Sequence, residues 1–410
     1  MLQRVKPRMV RLVASSALLG PAFVAAVAYV DPGNVATNVS AGARYGYLLV
    51  WVIVVANLMA GLLQYLSAKL GLATGRSLPE VVRDRMRRPT RLAYWLQAEV
   101  VAAATDLAEV IGGAIALNLL FGLPMLVGGL VTGVVSLGLL AVQNRRGQRP
   151  FERLISGLLL VIAVGFVAGL FWSPPSPAGV AGGLLPGFAG TESVLLAAGM
   201  LGATVMPHAI YLHSALARDR HGMVAGDDRK RMLTATRYDV VLAMLLAGTV
   251  NLAMVLLAAS ALRGRPGVDT LQGAHTAIGD VLGAPVALLF AIGLLASGLA
   301  STSVGCYAGA VIMQGLLKRR IPLLVRRVIT LMPAVAILAL GVDPTWALIL
   351  SQVVLSFGIP FVMIPLVALT ARRSIMGESV NAPATTIIAS TIAGAVIVLN
   401  VALVYLTITA

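Results

Sequence analysis

Two short stretches of this sequence set cation-binding groups beside a proline. The first is Tyr29-Val30-Asp31-Pro32-Gly33-Asn34, the second Ala203-Thr204-Val205-Met206-Pro207-His208. Asp31 offers a hard anionic oxygen, Asn34 a neutral amide oxygen and Met206 a soft thioether sulfur. The backbone carbonyls of Ala28 and Ala203 complete a donor set wherever the chain leaves its helix. Carboxylate and carbonyl oxygens suit many divalent ions, whereas a thioether shifts preference toward softer transition metals and away from Mg²⁺ and Ca²⁺. A lone Met in an apolar run is ordinarily packing. Its place at one such stretch, matched by an Asp at the other, points to ligation.

The elements that hold these residues are apolar throughout. Of 410 residues, 59% are hydrophobic and 11% charged, with a mean hydropathy of +0.92, against roughly 25% charged in an ordinary soluble domain. That leaves too little polar side chain to coat a water-facing surface. A spanning helix takes about 20 apolar residues. The apolar runs predict eleven spans, near 12–41, 46–72, 91–121, 125–143, 151–172, 191–217, 236–262, 284–316, 320–341, 345–370 and 384–409. No connection is long enough to bury a soluble core, so residues 1–410 read as one all-α integral membrane domain. The net charge of +15 sits in short clusters between apolar runs, the pattern of membrane loops rather than of a nucleic-acid surface. The single cysteine, Cys306, excludes an intrachain disulfide or a cysteine-rich metal site and reads as small packing.

Orientation follows from the basic residues. With the N-terminus cytoplasmic, 28 of the 31 Lys and Arg fall on its side, and only Arg44, Arg263 and Arg265 on the other. This predicts a multi-pass protein of the cell membrane with the N-terminus inside and the C-terminus outside. A cleaved signal peptide ending at Ala26-Val27-Ala28 fits poorly, since cleavage would remove half of the first span and reverse that bias.

Both proline stretches lie where a span should be continuous. An Asp deep in a bilayer costs about 2.5–3.5 kcal/mol on insertion scales, so it reads as functional. Pro32 removes an amide donor and disfavours helix at Asp31, and Gly33 relaxes the chain further. The freed carbonyls are tolerable only if they line a cavity or meet a ligand. The breaks are five spans apart, and an odd offset turns the second unit upside down. This predicts a five-helix repeat over 12–172, an inverted repeat over 191–370, and an additional helix at 384–409. Paired interrupted helices in two inverted halves mark the substrate site of a transporter.

A second polar system lies in the third span, where Glu99, Asp106 and Glu109 share one helical face. Three buried carboxylates need partners, and Arg326 and Arg327 near the start of the ninth span are candidates. The network either moves protons or only holds helices together. His208 is placed to relay a proton or to satisfy a freed carbonyl. His213 belongs to no His-Glu-x-x-His pattern, and His221 and His275 read as loop residues. Asn57, Asn251 and Asn400 read as hydrogen-bonding between helices.

The segments Asp31-Pro32-Gly33-Asn34 and Ala203-Thr204-Val205-Met206-Pro207-His208 resemble the two signature motifs of the Nramp metal-ion transporters, the MntH class in bacteria. The likeness runs from Pro21 to beyond Pro365 and includes Thr105-Asp106-Leu107-Ala108-Glu109. It implies a LeuT-like core of spans one to ten with helices 1 and 6 broken. It also implies proton-coupled import of Mn²⁺ and related ions (Fe²⁺, Cd²⁺, Co²⁺, Zn²⁺), with H⁺ as co-substrate and no permanently bound cofactor. By the same resemblance Asp31, Asn34, Met206 and the Ala203 carbonyl are the metal ligands, and the Ala28 carbonyl and Gln352 contribute in some conformations. Glu99, Asp106, Glu109, Arg326 and Arg327 would carry the proton from near Asp31 toward the cytoplasm.

Three other readings compete. An amino-acid carrier of the same fold would hold a substrate carboxylate on helix N-termini, which an Asp and a Met at the breaks oppose. An intramembrane enzyme lacks a nucleophile or metalloenzyme motif. A channel sits poorly with broken helices in inverted halves. The expected partners are divalent ions, protons and lipid, with no nucleic acid and a monomer as the simplest assembly.

Overall fold

A computed structural model describes residues 20–222, 226–319 and 321–409. The expected start of span 1 at 12–19, the cations Arg4, Lys6, Arg8 and Arg11, and Arg320 lie outside the described residues. Among the described residues there is no strand. Lipid offers the backbone no hydrogen-bond partner, so each apolar run must satisfy itself as a helix.

Spans 2 to 5 are Val50–Thr74, Arg88–Phe121, Met125–Arg146 and Gln148–Val167, the last continued by a 3₁₀ turn at Ala168–Phe171. Span 7 is Gly226–Leu257 and ends in a π turn, Ala258–Leu262. Spans 8 to 11 are Ala284–Leu317, Leu323–Ala339, Pro344–Thr370 and Pro383–Thr409. Spans 1 and 6 are each broken. Span 1 runs as Pro21–Val27, a 3₁₀ turn Ala28–Val30, then Pro32–Tyr45; span 6 as Thr191–Thr204, then Pro207–His221. The described residues are thus all-α, with eleven helical spans, two of them broken, in the order expected.

Four short helices among the described residues were not legible as such, one of them the single turn Arg373–Met376 between spans 10 and 11. Leu78–Arg83 begins with a capping box between Ser77 and Glu80. Pro177–Gly183 occupies the connection after span 5. Leu271–Leu282 lies before span 8 and buries Leu271, Ala274 and Ile278, one stripe of an amphipathic helix. His275 is carried on that helix, half-buried with its ring 6.3 Å from that of Phe290, rather than in a loop.

Burial orders the bundle. The apolar window of span 6 is 94% buried, against 33% in span 5 and 28% in span 11. The broken helices therefore form the centre, and spans 5 and 11 face outward. Backbones close around this centre through bare glycines. A Cβ on Gly202 would fall 2.0 Å from the Gln352 carbonyl oxygen of span 10, and one on Gly112 of span 3 would fall 2.0 Å from the Pro32 side chain.

This contact yields a stability prediction. Gly202→Val must push span 6 off span 10, exceeding the about 1–3 kcal/mol of ordinary overpacking, because the obstacle is backbone. Gly157→Val has nothing within 4 Å of the new Cβ. Size-exclusion profiles and thermal melts of the purified variants should show aggregation or a large drop in melting temperature for the first and wild-type behaviour for the second.

Candidate functional site

The two breaks face each other at the centre of the bundle. Asp31 is extended (φ −70°, ψ 168°) and caps the C-terminal half of span 1, its Oδ1 accepting the Asn34 backbone N–H at 2.7 Å. In span 6 the chain leaves the helix at Val205 (φ −111°, ψ 62°) and Met206 (φ −68°, ψ 119°) before Pro207 restarts it. Asp31, Asn34, Ala28, Ala203 and Met206 are all fully buried.

One side chain joins the breaks. The Asn34 Nδ2 donates to Asp31 Oδ1 at 3.0 Å and, across to span 6, to the Ala203 carbonyl at 2.9 Å. Its Oδ1 accepts from the Thr204 hydroxyl at 3.3 Å. Half a turn of the Asn34 amide would direct its oxygen toward Asp31 and Ala203 instead, and the Thr204 hydroxyl can then accept rather than donate. Thr204 thus supports either orientation, a role the sequence reading missed. Asp31 Oδ2 and Gln352 Oε1 are buried without a hydrogen-bond partner. Gln352 lies against the break itself, since a Cβ on Gly33 would sit 1.9 Å from its Nε2. Asp31, Asn34, Ala203 and Gln352 therefore converge, and Met206 caps the adjoining half-helix. One carboxylate, amide and carbonyl oxygens and a thioether make a donor set suited to a divalent cation.

Span 3 touches both breaks. Gly112 packs on Pro32, and the Thr105 hydroxyl lies 3.3 Å from His208 Nδ1. Thr105 donates to the Val101 carbonyl at 3.1 Å, so its oxygen must accept from His208. Nδ1 then carries the proton, and Nε2 is a buried acceptor with no partner. Between these contacts lies Glu109, fully buried, both oxygens unpartnered. It rests against span 8 where Gly305 leaves room, 2.9 Å from where a Cβ would stand. The arginines pair in the expected sense. Arg326 meets Glu99 at 2.7 Å, Arg327 meets Asp106 at 3.2 Å, and Arg327 also donates to the Thr302 hydroxyl at 3.1 Å.

Further polar groups escaped the sequence reading. Gln64 of span 2 donates to the Tyr29 hydroxyl and accepts from His213 Nδ1 at 2.5 Å, linking the two broken helices on a second side. Asp239 of span 7 accepts from the backbone N–H groups of Gly20 (3.0 Å) and Ala22 (2.9 Å), capping the N-terminal half of span 1. Glu152 of span 5 pairs with Arg220 at the end of span 6. Lone Gln and Asp residues in apolar runs were the available signal. Asn57 and Asn251 bond between helices as expected, Asn57 to the Met244 carbonyl of span 7 (3.1 Å) and Asn251 to the Tyr29 carbonyl at the first break (2.7 Å). Asn400 pairs with Ser356, and Cys306 is buried and free.

Paired broken helices inside a ten-helix core define a polytopic membrane protein of the LeuT-like fold. The solved structure of MhsT in complex with L-phenylalanine shares that fold at TM-score 0.57 and 14% identity, covering 95% of this chain and 97% of that one. Residues 22–406 match the family described as natural resistance-associated macrophage protein-like, and the chain belongs to this Nramp family. It is 65% identical over 393 residues to the divalent metal cation transporter MntH of Mycobacterium tuberculosis (strain ATCC 25618 / H37Rv), covering 96% of this chain and 92% of that protein. The crystal structure of the Eremococcus coleocola manganese transporter superposes at TM-score 0.83 with 31% identity, covering 97% of this chain and 87% of that one.

The Arg327–Asp106 pair invites a double-mutant cycle. Removing one partner of a buried pair typically costs about 3–5 kcal/mol, because the other charge stays buried, whereas an apolar replacement of both is often neutral. Arg327→Met should destabilise by that order in thermal or denaturant unfolding, and Arg327→Met with Asp106→Leu should recover most of the loss.

Proposed function

We propose that this protein is a proton-coupled secondary carrier that imports divalent transition-metal ions, Mn²⁺ foremost and also Fe²⁺, Cd²⁺, Co²⁺ and Zn²⁺, by alternating access. The observation that carries this reading is the convergence of Asp31, Asn34 and the Ala203 carbonyl from two different broken helices, beside Met206. Family membership and the metal named for its relatives support it. Asp31 is the single anionic ligand in the proposed set, Asn34 and the carbonyls of Ala203 and Ala28 add neutral oxygen, Met206 adds sulfur, and Gln352 joins through its free oxygen. A lone carboxylate among neutral donors keeps affinity moderate, as a carrier that must release its cargo requires. The same carboxylate disfavours an amino-acid substrate, whose own carboxylate would face it. The machinery is that of a carrier rather than an enzyme, with the metal as cargo and H⁺ as co-substrate.

Coupling is not demanded by energetics, since a potential of about 100 mV favours a divalent ion by about 4.6 kcal/mol. It is assigned here to the third span. Two arginines face three carboxylates, so Glu109 is the acid left without a countercharge and the natural proton acceptor. His208, held by Thr105, lies on the route between the breaks and that carboxylate. The proton then leaves along Asp106, Glu99, Arg327 and Arg326. The excess of basic residues on this side supports a cytoplasmic end, and the proposal sets the protein in the cell membrane with the N-terminus inside, the C-terminus outside and a monomer as the simplest carrier.

Reconstituted vesicles with internal pH and metal recorded together test the reading. Wild-type protein should acidify the lumen as Mn²⁺ enters, and Asp31→Ala should bring both signals to background. Near-normal Mn²⁺ uptake by that variant would remove Asp31 from the site.

Selectivity tests Met206. Loss of an outer-shell partner alone costs ~10–100-fold in metal affinity, so Met206→Ala should weaken Cd²⁺ uptake by at least that order while Mn²⁺ is partly kept. The remaining all-oxygen site should admit Ca²⁺ or Mg²⁺ as competitors. A uniform loss for every metal, with Ca²⁺ still excluded, would return Met206 to packing.

A further inference from the structure

A groove of about 480 Å³ opens on the membrane face between spans 2 and 7, away from the breaks. Its character changes along its length. One end is lined by Arg237, Tyr65 and Thr385, from spans 7, 2 and 11. The remainder is walled by Leu58, Leu62, Val241 and Leu245, with Met244 behind, and its one polar group is the Asn57 amide, which donates to the Met244 carbonyl. Leu58, Val241 and Leu245 are exposed, at 69%, 46% and 60%, so this wall lies open to acyl chains rather than to another part of the protein.

The polar end is short of partners. Arg237 is exposed, and the Arg237 guanidinium and the Tyr65 and Thr385 hydroxyls make no hydrogen bond or ion pair to other described residues. Lys69, one turn beyond Tyr65, lies 5.9 Å from the centre of its ring but is buried, donates to Asn381 Oδ1 and does not line the groove. No carboxylate lines the groove. A guanidinium and two hydroxyls without an acid make a cradle for an anion, and Arg is the side chain best matched to phosphate oxygens.

Length agrees with this. Arg237 to Leu245 is eight residues, or about 12 Å of helix, close to the roughly 15 Å depth of one leaflet's hydrocarbon. A phosphate at Arg237 therefore sets its acyl chain along Leu62, Val241 and Leu245. At the floor Gly61 presents no side chain, and a Cβ there would meet only Met244 Cγ at 3.8 Å. We infer that this groove is a binding site for one anionic phospholipid of the leaflet on the basic side, its headgroup phosphate on Arg237, Tyr65 and Thr385 and one acyl chain in the channel over Gly61. The site is distinct from the proposed metal site and does not depend on which substrate is carried.

Native mass spectrometry of the full-length protein in detergent tests it, with phosphatidylglycerol and phosphatidylcholine of identical acyl chains added in equal amounts. One basic residue near an anionic headgroup corresponds to a factor of about five, so wild-type protein should retain a single phosphatidylglycerol over phosphatidylcholine by at least that ratio. Arg237→Gln should bring the ratio to about one. Gly61→Leu fills the channel without a backbone clash and should reduce retention of both lipids. Arg87→Gln, an exposed cation outside the groove, should leave the ratio unchanged. If Arg237→Gln does not fold, Tyr65→Phe with Thr385→Val reads the same headgroup contact and should lower the ratio. A wild-type ratio near one overturns the proposal, as does an unchanged ratio in the headgroup variant or an equal loss in Arg87→Gln. A dimer peak that disappears in Gly61→Leu would overturn it too, giving the face to a second copy of the chain.

Discussion

A helix interrupted at membrane depth leaves carbonyls that lipid cannot satisfy, each costing several kcal/mol if left bare, and the positions of the neighbouring spans follow from that. The Val30 carbonyl accepts from Ser297 of span 8 at 2.6 Å, and the Tyr29 carbonyl from Asn251 of span 7 at 2.7 Å. The Ala203 carbonyl takes its proton from Asn34. Each donor is a polar side chain that must stand within hydrogen-bond reach of one particular carbonyl. Spans 7 and 8 are therefore registered against the break as much as packed against it.

Such registry requires close backbones, and span 3 shows how it is reached. Gly112 admits Pro32, Gly113 and Gly298 bring spans 3 and 8 together, and Gly305 and Gly309 leave room for Glu109 and the Arg326 guanidinium. Gly298, Gly305 and Gly309 recur at intervals of seven and four, one face of span 8. Bulk removed along that face is replaced by charge. Span 3 thereby contacts the first break through Gly112 and the second through Thr105, with Glu109 between them.

The sequence announced what a membrane forbids. Asp31 beside Pro32 and Met206 beside Pro207 stood out because an acid and a helix breaker are both costly in lipid, and the eleven spans followed from hydropathy. Arg326 and Arg327 were legible as candidate partners for the carboxylates of span 3, though not which arginine meets which acid. What stayed hidden was pairing that depends on the third dimension. Nothing local says that Gln64 reaches Tyr29 and His213, that Asp239 caps a helix starting more than two hundred residues earlier, or that Thr204 faces Asn34. Thr204 and Gln64 are residue types that sit unremarked in many membrane helices. The helix Leu271–Leu282 was missed for another reason: its stripe is short and its ends carry no charge cluster.

The Asn34 amide has a consequence for how a cation would be held. In the structure its two N–H groups occupy the position between Asp31 Oδ1 and the Ala203 carbonyl oxygen, the place where, on the proposed reading, a metal ion would meet the same two oxygens. The neutral amide thus does in the resting protein what the cation does in the loaded one, giving positive character to a buried carboxylate and a partner to a freed carbonyl. On that reading metal binding would break those two hydrogen bonds and turn the amide, so part of the coordination energy would be offset by contacts already present. Release restores them. A site built from one carboxylate and a reversible amide is therefore poised between holding and letting go, and the Thr204 hydroxyl, which can donate or accept, leaves neither orientation of the amide unsatisfied.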